Sequence, residues 1–169
     1  MIDIEVIDNF LDPREFDYVK SAFSNLEYSP VPGASGKELD EEIPHWNYYS
    51  VKMIYHNDEP VNETWGVIKD VFLPKFHLAC QYKTMFRVKV NFYPYGETFH
   101  RHPYHIDQDF SHQGAIFALN TCNGFTEFED GTKIDSVENR LFLFDPSIKH
   151  RSTNTTNAMG RFNINFKFF

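Results

Sequence analysis

Met85-Phe86-Arg87-Val88-Lys89-Val90-Asn91-Phe92-Tyr93-Pro94 is the stretch in which the hydrophobic period of this chain changes from helical to extended. Val88, Val90 and Phe92 fall on one side of a strand, and Arg87, Lys89, Asn91 and Tyr93 on the other, because successive side chains point to opposite faces. Upstream the spacing is different. Phe16, Val19, Phe23 and Leu26 recur every three or four positions after Asp12-Pro13-Arg14-Glu15, which has an N-cap, a proline at the first helical position and a glutamate at capping-box spacing. Val61, Trp65, Ile68, Phe72 and Phe76 repeat the pattern after a cap at Asn62, with a break expected near Pro74. A short strand is expected over residues 2–7 and another over residues 46–55. Residues 29–44, rich in Pro, Gly and acids, read as a loop, either a solvated connector or a lid.

Downstream of Met85 the alternation continues in short pieces, at residues 114–121, 125–129, 140–144 and 161–168. Asn123-Gly124 and Asp130-Gly131 mark turns. Helices followed by a run of short strands predict an α+β protein, mainly β, with the strands forming a sandwich or barrel and the N-terminal helices packed on the sheet. With 169 residues the chain suits one domain, residues 1–84 supplying helical support and loops and residues 85–169 the barrel core. An aromatic content of 17% supports a sheet-rich core.

The formal charge of -8 argues against nucleic acid as partner, since phosphate backbones are gripped by a basic face. Two cysteines, Cys80 and Cys122, are too few for a disulfide framework and place the chain in a reducing, cytoplasmic setting. No apolar run approaches the roughly 18 residues of a membrane span.

Candidate chemistry lies between Tyr93 and Arg161. His105 and Asp107, two apart, project from one face of an extended chain, and His150 follows the Asp145-Pro146 turn. Two histidines and one carboxylate are the ligand types that hold Fe(II) with positions left open, although zinc accepts a similar set. The last strand sharpens this. Phe162, Ile164, Phe166 and Phe168 share one side, and Arg161, Asn163, Asn165 and Lys167 the other. A polar face carrying an arginine suits a cavity that holds an anion, because the guanidinium fork pairs with both oxygens of a carboxylate. Asn91 and Tyr93 could complete that pocket around a dicarboxylate.

Taken together, His105-Ile106-Asp107, His150 and Arg161, preceded by Asn91-Phe92-Tyr93-Pro94, resemble the signature of the 2-oxoglutarate- and Fe(II)-dependent dioxygenases, particularly the prolyl-hydroxylase-like branch. Residues 123–131, with Asn139-Arg140-Leu141 and Phe144-Asp145, are similar to small phage and marine-microbial members. The resemblance covers residues 85–169. It implies a double-stranded β-helix, of the jelly-roll or cupin-like kind, with Fe(II) on His105, Asp107 and His150, and 2-oxoglutarate chelating the metal. Arg161 would bind the distal carboxylate with Tyr93, and Asn91 and Asn163 would lie beside the co-substrate. It further implies the hydroxylation by O2 of a peptidyl proline or another small-molecule or side-chain substrate, with release of succinate and CO2. Ala118 stands where oxygen-sensing prolyl hydroxylases carry a second tyrosine. The sequence Arg161-x-Asn163-x-Asn165-x-Lys167 is also similar to that of the nucleic-acid-demethylating branch, which usually ends in arginine.

Other readings of the same residues stay open. His100 and His102 with His150 could form the triad of a cupin-type, non-oxygenase metal barrel. Arg151 is a rival for Arg161, but points away from His150 on an extended chain. Tyr95, Phe99, Tyr104 and Phe110 are candidates for substrate contact or for packing.

Overall fold

The computed structural model describes residues 3–24, 27–32 and 47–169. In chain order these form β1 (Glu5–Ile7), α1 (Pro13–Ser24), β2 (Ser29–Pro32), β3 (Tyr48–His56) and β4 (Glu59–Pro60). Next comes a helix in three parts: α2 (Trp65–Val67), a π-helical turn (Ile68–Phe72) and α3 (Leu73–Cys80). The strands β5 (Met85–Pro94), β6 (Gln113–Ala118), β7 (Phe125–Phe128), β8 (Lys133–Asp135), β9 (Leu141–Phe144), β10 (His150–Ser152) and β11 (Gly160–Phe168) complete the chain.

The large antiparallel sheet has eight strands in the order β1-β9-β6-β11-β5-β3-β2, with β4 on β3, and the small sheet runs β10-β7-β8. Strand β5 lies between β11 and β3, and its pairing with β11 sets Arg161 opposite Tyr93, Asn163 opposite Asn91, Asn165 opposite Lys89 and Lys167 opposite Arg87. The alternation of both strands thus places all their polar residues on one face and their apolar residues on the other.

The apolar face packs on the helices. Phe72 stacks on Phe166 at 4.6 Å between ring centroids and meets Phe117 at 5.0 Å, while Phe76 contacts Phe166 and Phe168. Phe16, Val19 and Phe23 of α1 join the same core as Val88, Val90 and Ile164. The polar face looks the other way, toward the small sheet. Phe72→Ala should therefore cost about 3–5 kcal/mol, because the fully buried ring leaves a cavity between helix and sheet. Urea unfolding should show the shift in midpoint with an unchanged slope.

Helix α1 begins as expected: the Asp12 carboxylate accepts from the N–H groups of Arg14 and Glu15, and Glu15 accepts in return from that of Asp12, each at 3.0 Å. Lys75 ties it to α3 through Glu15. Asn62 accepts from Thr64 N–H at 2.9 Å ahead of the second helix. Val61, expected on its apolar face, is exposed.

Three expectations change. Pro74 does not break the helix, because the chain widens into the π-helical turn just before it, where Leu73 N–H bonds to Ile68 C=O. Ser29–Pro32 is a strand rather than loop. It pairs only with β3 at the sheet's edge, where Pro30 and Pro32, two apart, put their missing N–H groups on the open side. The remainder of the expected loop, with Trp46 of the expected strand and Leu26 of the helix, lies outside the described residues. Finally, the strand expected over residues 114–121 ends at Ala118. Cys80 and Cys122 are free thiols, and among the described residues no helix is long and apolar enough to cross a membrane.

Candidate metal centre

His105 and His150 are held opposite one another by a reciprocal backbone pair: His105 N–H donates to His150 C=O at 2.9 Å, and His150 N–H to His105 C=O at 3.0 Å. The backbone registers the two rings before any metal is considered. Each ring is then turned by its own chain. His150 Nδ1 lies 2.8 Å from Ile148 C=O, and His105 Nδ1 3.3 Å from Pro103 C=O. A carbonyl only accepts, so each Nδ1 donates to its own chain and Nε2 is the ring atom left to face the cluster.

Asp107 completes the cluster. Its N–H bonds to Pro146 C=O at 3.2 Å, its Oδ2 stands 3.4 Å from His150 Nε2, and one ligand atom from each of the three residues lies within 4.8 Å of the others. Ile106 between them is exposed, as alternation requires. Burial, with His150 alongside, pushes His105 down to about 4, so the ring is neutral. Burial alone would raise the Asp107 carboxyl. The Lys167 ammonium and His150 outweigh it and hold Asp107 well below the ordinary carboxylate range.

A narrow cavity of about 30 Å³ opens from the three side chains along the polar faces of β5 and β11, past Lys89, Asn91, Tyr93 and Asn165. Its wall is strongly cationic. Lys167, fully buried, pairs with Asp107, and Arg87 lies 3.7 Å from the same carboxylate. Lys89 donates to the Tyr49 hydroxyl at 3.3 Å. Behind Tyr93, Arg161, fully buried, reaches across to the small sheet, donating to Thr126 Oγ1 at 2.9 Å and lying 5.4 Å from the centre of the Tyr93 ring.

By sequence, no protein-family model and no curated protein matches the chain. By structure there are many matches. A prolyl hydroxylase from Trichoplax adhaerens, solved in complex with a hypoxia inducible factor oxygen degradation domain peptide fragment, shares 18% identity at a TM-score of 0.66, covering 98% of this chain and 83% of that one. A 2OG-Fe(II) oxygenase-family oxidoreductase from Burkholderia pseudomallei gives 11% and 0.68, over 98% and 84%. A prolyl-4-hydroxylase from Pseudomonas putida gives 14% and 0.61, over 99% and 93%. The fold is that of the 2OG-Fe(II) oxygenases. Its double-stranded β-helix is the pair of facing sheets, with helices against the outer face of the larger one.

Within this oxygenase fold the residues singled out in the sequence meet, with two exceptions. His105, Asp107 and His150 cluster, and Tyr93 and Asn91 line the cavity, while Arg161 lies behind Tyr93 and is not part of the lining. Asn163 is bonded to Asn91 instead, accepting from its Nδ2 at 3.1 Å, and does not line the cavity. The rival groupings are not assembled. His102 is buried with Nδ1 2.7 Å from the Asn47 side chain, and the metal-compatible cluster found among the described residues does not include His100 or His102. Arg151 faces away and pairs with Glu127 at 2.7 Å. Of the aromatic candidates, Phe99 packs on Phe125, Phe110 on Phe86, and Tyr104 lies under the Arg151 guanidinium, while Tyr95 is exposed.

Lys89, Lys167, Arg87, Tyr49 and Asn165 are additions. Tyr49 comes from β3, and the signal of the other four was present in the alternation of β5 and β11. It reads as a solvated face until the small sheet is known to cover it.

Proposed function

We propose that residues 1–169 form a single-domain Fe(II)- and 2-oxoglutarate-dependent oxygenase that hydroxylates a small-molecule or peptide side chain, a prolyl group being one candidate. One observation carries the reading: a His-Asp-His cluster, both histidines anchored through Nδ1 to backbone carbonyls, opens onto a cavity lined by Lys89, with Arg87, Arg161 and Lys167 on the same face of the β5–β11 pair. The donor set suits Fe(II), because two neutral imidazoles and one carboxylate leave the site positive and coordinately open. The site suits a dianion, since the Arg161 guanidinium behind Tyr93 is buried with its Nε unbonded among the described residues.

In this reading the bound metal and 2-oxoglutarate supply the activation of O2, one oxygen atom entering the substrate and the other succinate as CO2 leaves. The chain's own residues position and shield. His105 and His150 hold their lone pairs through the Pro103 and Ile148 carbonyls, Arg161 and Tyr93 anchor the distal carboxylate, and Asn91 braces the wall through Asn163. The tight cavity excludes bulk water.

Anaerobic titration of the purified protein with Mn(II), then with 2-oxoglutarate, should give one-to-one binding of each. Binding of neither would sink the reading. Gly124→Ala provides a second check, because an added Cβ would stand 2.8 Å from Arg161 Cδ and 2.7 Å from Asn154 C=O. The arginine must shift, and 2-oxoglutarate affinity should fall about tenfold or more while Mn(II) affinity holds. Equal loss of both would point to general unfolding instead.

A further inference from the structure

The inner wall carries more positive charge than the proposed metal and co-substrate can use. Arg87, Lys89, Arg161 and Lys167 share one face of the β5–β11 pair, and the carboxylate that meets this wall is Asp107. A divalent metal and a 2-oxoglutarate dianion cancel each other's charge, so loading both leaves the excess unchanged. The two oxygenase ligands also have their partners assigned. One end of 2-oxoglutarate goes to the metal, the other to Arg161, and Asp107 already answers Lys167.

Lys89 is left over. Its ammonium has three N–H donors, and the described residues give it one acceptor, the Tyr49 hydroxyl, with the Tyr49 ring 5.4 Å away. It stands four residues along β5 from Tyr93, roughly 13 Å of strand, so it is remote from the arginine end and close to the metal ligands. Unlike Lys167 it is only partly buried, and it opens onto the cavity together with Tyr49 and Asn165. Among the described residues the Asn165 side-chain oxygen has no hydrogen-bond partner, and turning the amide over would present its NH2 to the same space. Burial pushes Lys89 down to about 8, with Arg87 adding to the effect, and the group stays cationic at neutral pH.

We infer that Lys89, with Tyr49 and Asn165, is a second anion subsite beside the metal, and that the substrate hydroxylated here carries a carboxylate or phosphate. The inference rests on the oxygenase reading and narrows it, since a prolyl side chain within a peptide offers no such group. A cation held in a low-dielectric cavity gains far more from an anion than from a neutral amide, and it repels a cationic substrate outright.

The test uses the full chain loaded anaerobically with Mn(II) and 2-oxoglutarate, and follows paramagnetic broadening of probe NMR signals, which reports binding next to the metal. The probes are matched pairs: N-acetylproline and N-acetylprolinamide, N-acetylleucine and its amide, phenyl phosphate and phenol. The acids should bind at least tenfold more tightly than their neutral partners. Lys89→Met, a substitution of similar length, should abolish that preference with 2-oxoglutarate affinity changed less than twofold. Equal binding within the pairs, no binding by any acid, or an acid preference that survives Lys89→Met would overturn the proposal. A tenfold loss of 2-oxoglutarate binding in Lys89→Met would also overturn it, by assigning the lysine to the co-substrate. Failure of the wild-type protein to take up Mn(II) and 2-oxoglutarate is a separate outcome, which removes the oxygenase reading and the subsite with it. Comparing acid with amide on the wild-type chain keeps the proposal falsifiable even if the variant does not fold.

Discussion

Asp107→Ala should lose metal binding altogether and, independently, lower the stability of the metal-free protein by about 3–5 kcal/mol. The first effect follows from the donor set. Two neutral imidazoles alone hold a hard divalent ion poorly, and the carboxylate supplies the only negative charge in the cluster. The second follows from what Asp107 does without a metal. Its carboxylate meets Lys167 and lies 3.7 Å from Arg87, in a site where it is nine-tenths buried and Lys167 wholly so. Taking the anion away leaves a buried ammonium facing a guanidinium with no counter-charge, which costs more than the loss of any single hydrogen bond.

His105→Ala separates the two effects. It should abolish metal binding and 2-oxoglutarate-dependent succinate formation as completely. Its cost in metal-free stability should be smaller, because the ring is neutral and no charge is left unpaired. Calorimetric titration with Mn(II) and urea unfolding of the metal-free proteins read the two quantities. Equal destabilisation by the two substitutions would show that the Asp107–Lys167 pair does not hold the metal-free site together. Retained Mn(II) binding in both would remove the cluster as the metal site.

How far the sequence shows the site depends on how local each signal is. The order of helices and strands, the capping box at Asp12 and the ligand trio were legible, because each rests on spacing within a few residues or on residue type. Asn91, Tyr93 and Arg161 could be placed on one wall because β5 and β11 each alternate cleanly over their length. Lys89 and Lys167 lay on the same faces, yet a lysine on a strand normally means solvent. Only the small sheet, built from strands of three and four residues, turns that face into an interior, and strands this short leave little periodicity to read. His102, read as a candidate ligand of a rival triad, is instead a buried residue of the cavity's lining, and its partner Asn47, 55 residues away, is beyond any local spacing. Pro74 and the Ser29–Pro32 strand differ in kind, since the π-helical turn and the sheet edge tolerate the missing N–H, and tertiary context decides both.

Arg161→Met should weaken 2-oxoglutarate binding by at least 100-fold and yet leave the ligand-free protein as stable as before, or more so. These opposite signs follow from one fact. Arg161 is buried with 2% of its surface exposed, donates to the Thr126 hydroxyl at 2.9 Å and to the Thr153 carbonyl at 3.5 Å, and forms no ion pair among the described residues. Its Nε has no hydrogen-bond partner among the described residues. A buried guanidinium in that state is costly, and burial accordingly lowers its pKa. An apolar side chain of similar length removes the penalty, as replacement of buried charges by packed hydrophobic residues often does. The same guanidinium becomes favourable once a carboxylate arrives, because charge-assisted bonds in a water-poor site contribute about 1.5–3 kcal/mol each. Two of them lost correspond to the 100-fold or greater fall. Thermal unfolding with and without saturating 2-oxoglutarate measures both halves: the wild-type midpoint should rise on addition of ligand, and the Arg161→Met midpoint should start level or higher and stay there. A variant that unfolds earlier and still gains from 2-oxoglutarate would mean that Arg161 is a structural strut between the sheets through Thr126, and that the co-substrate is anchored by another of the wall's cations.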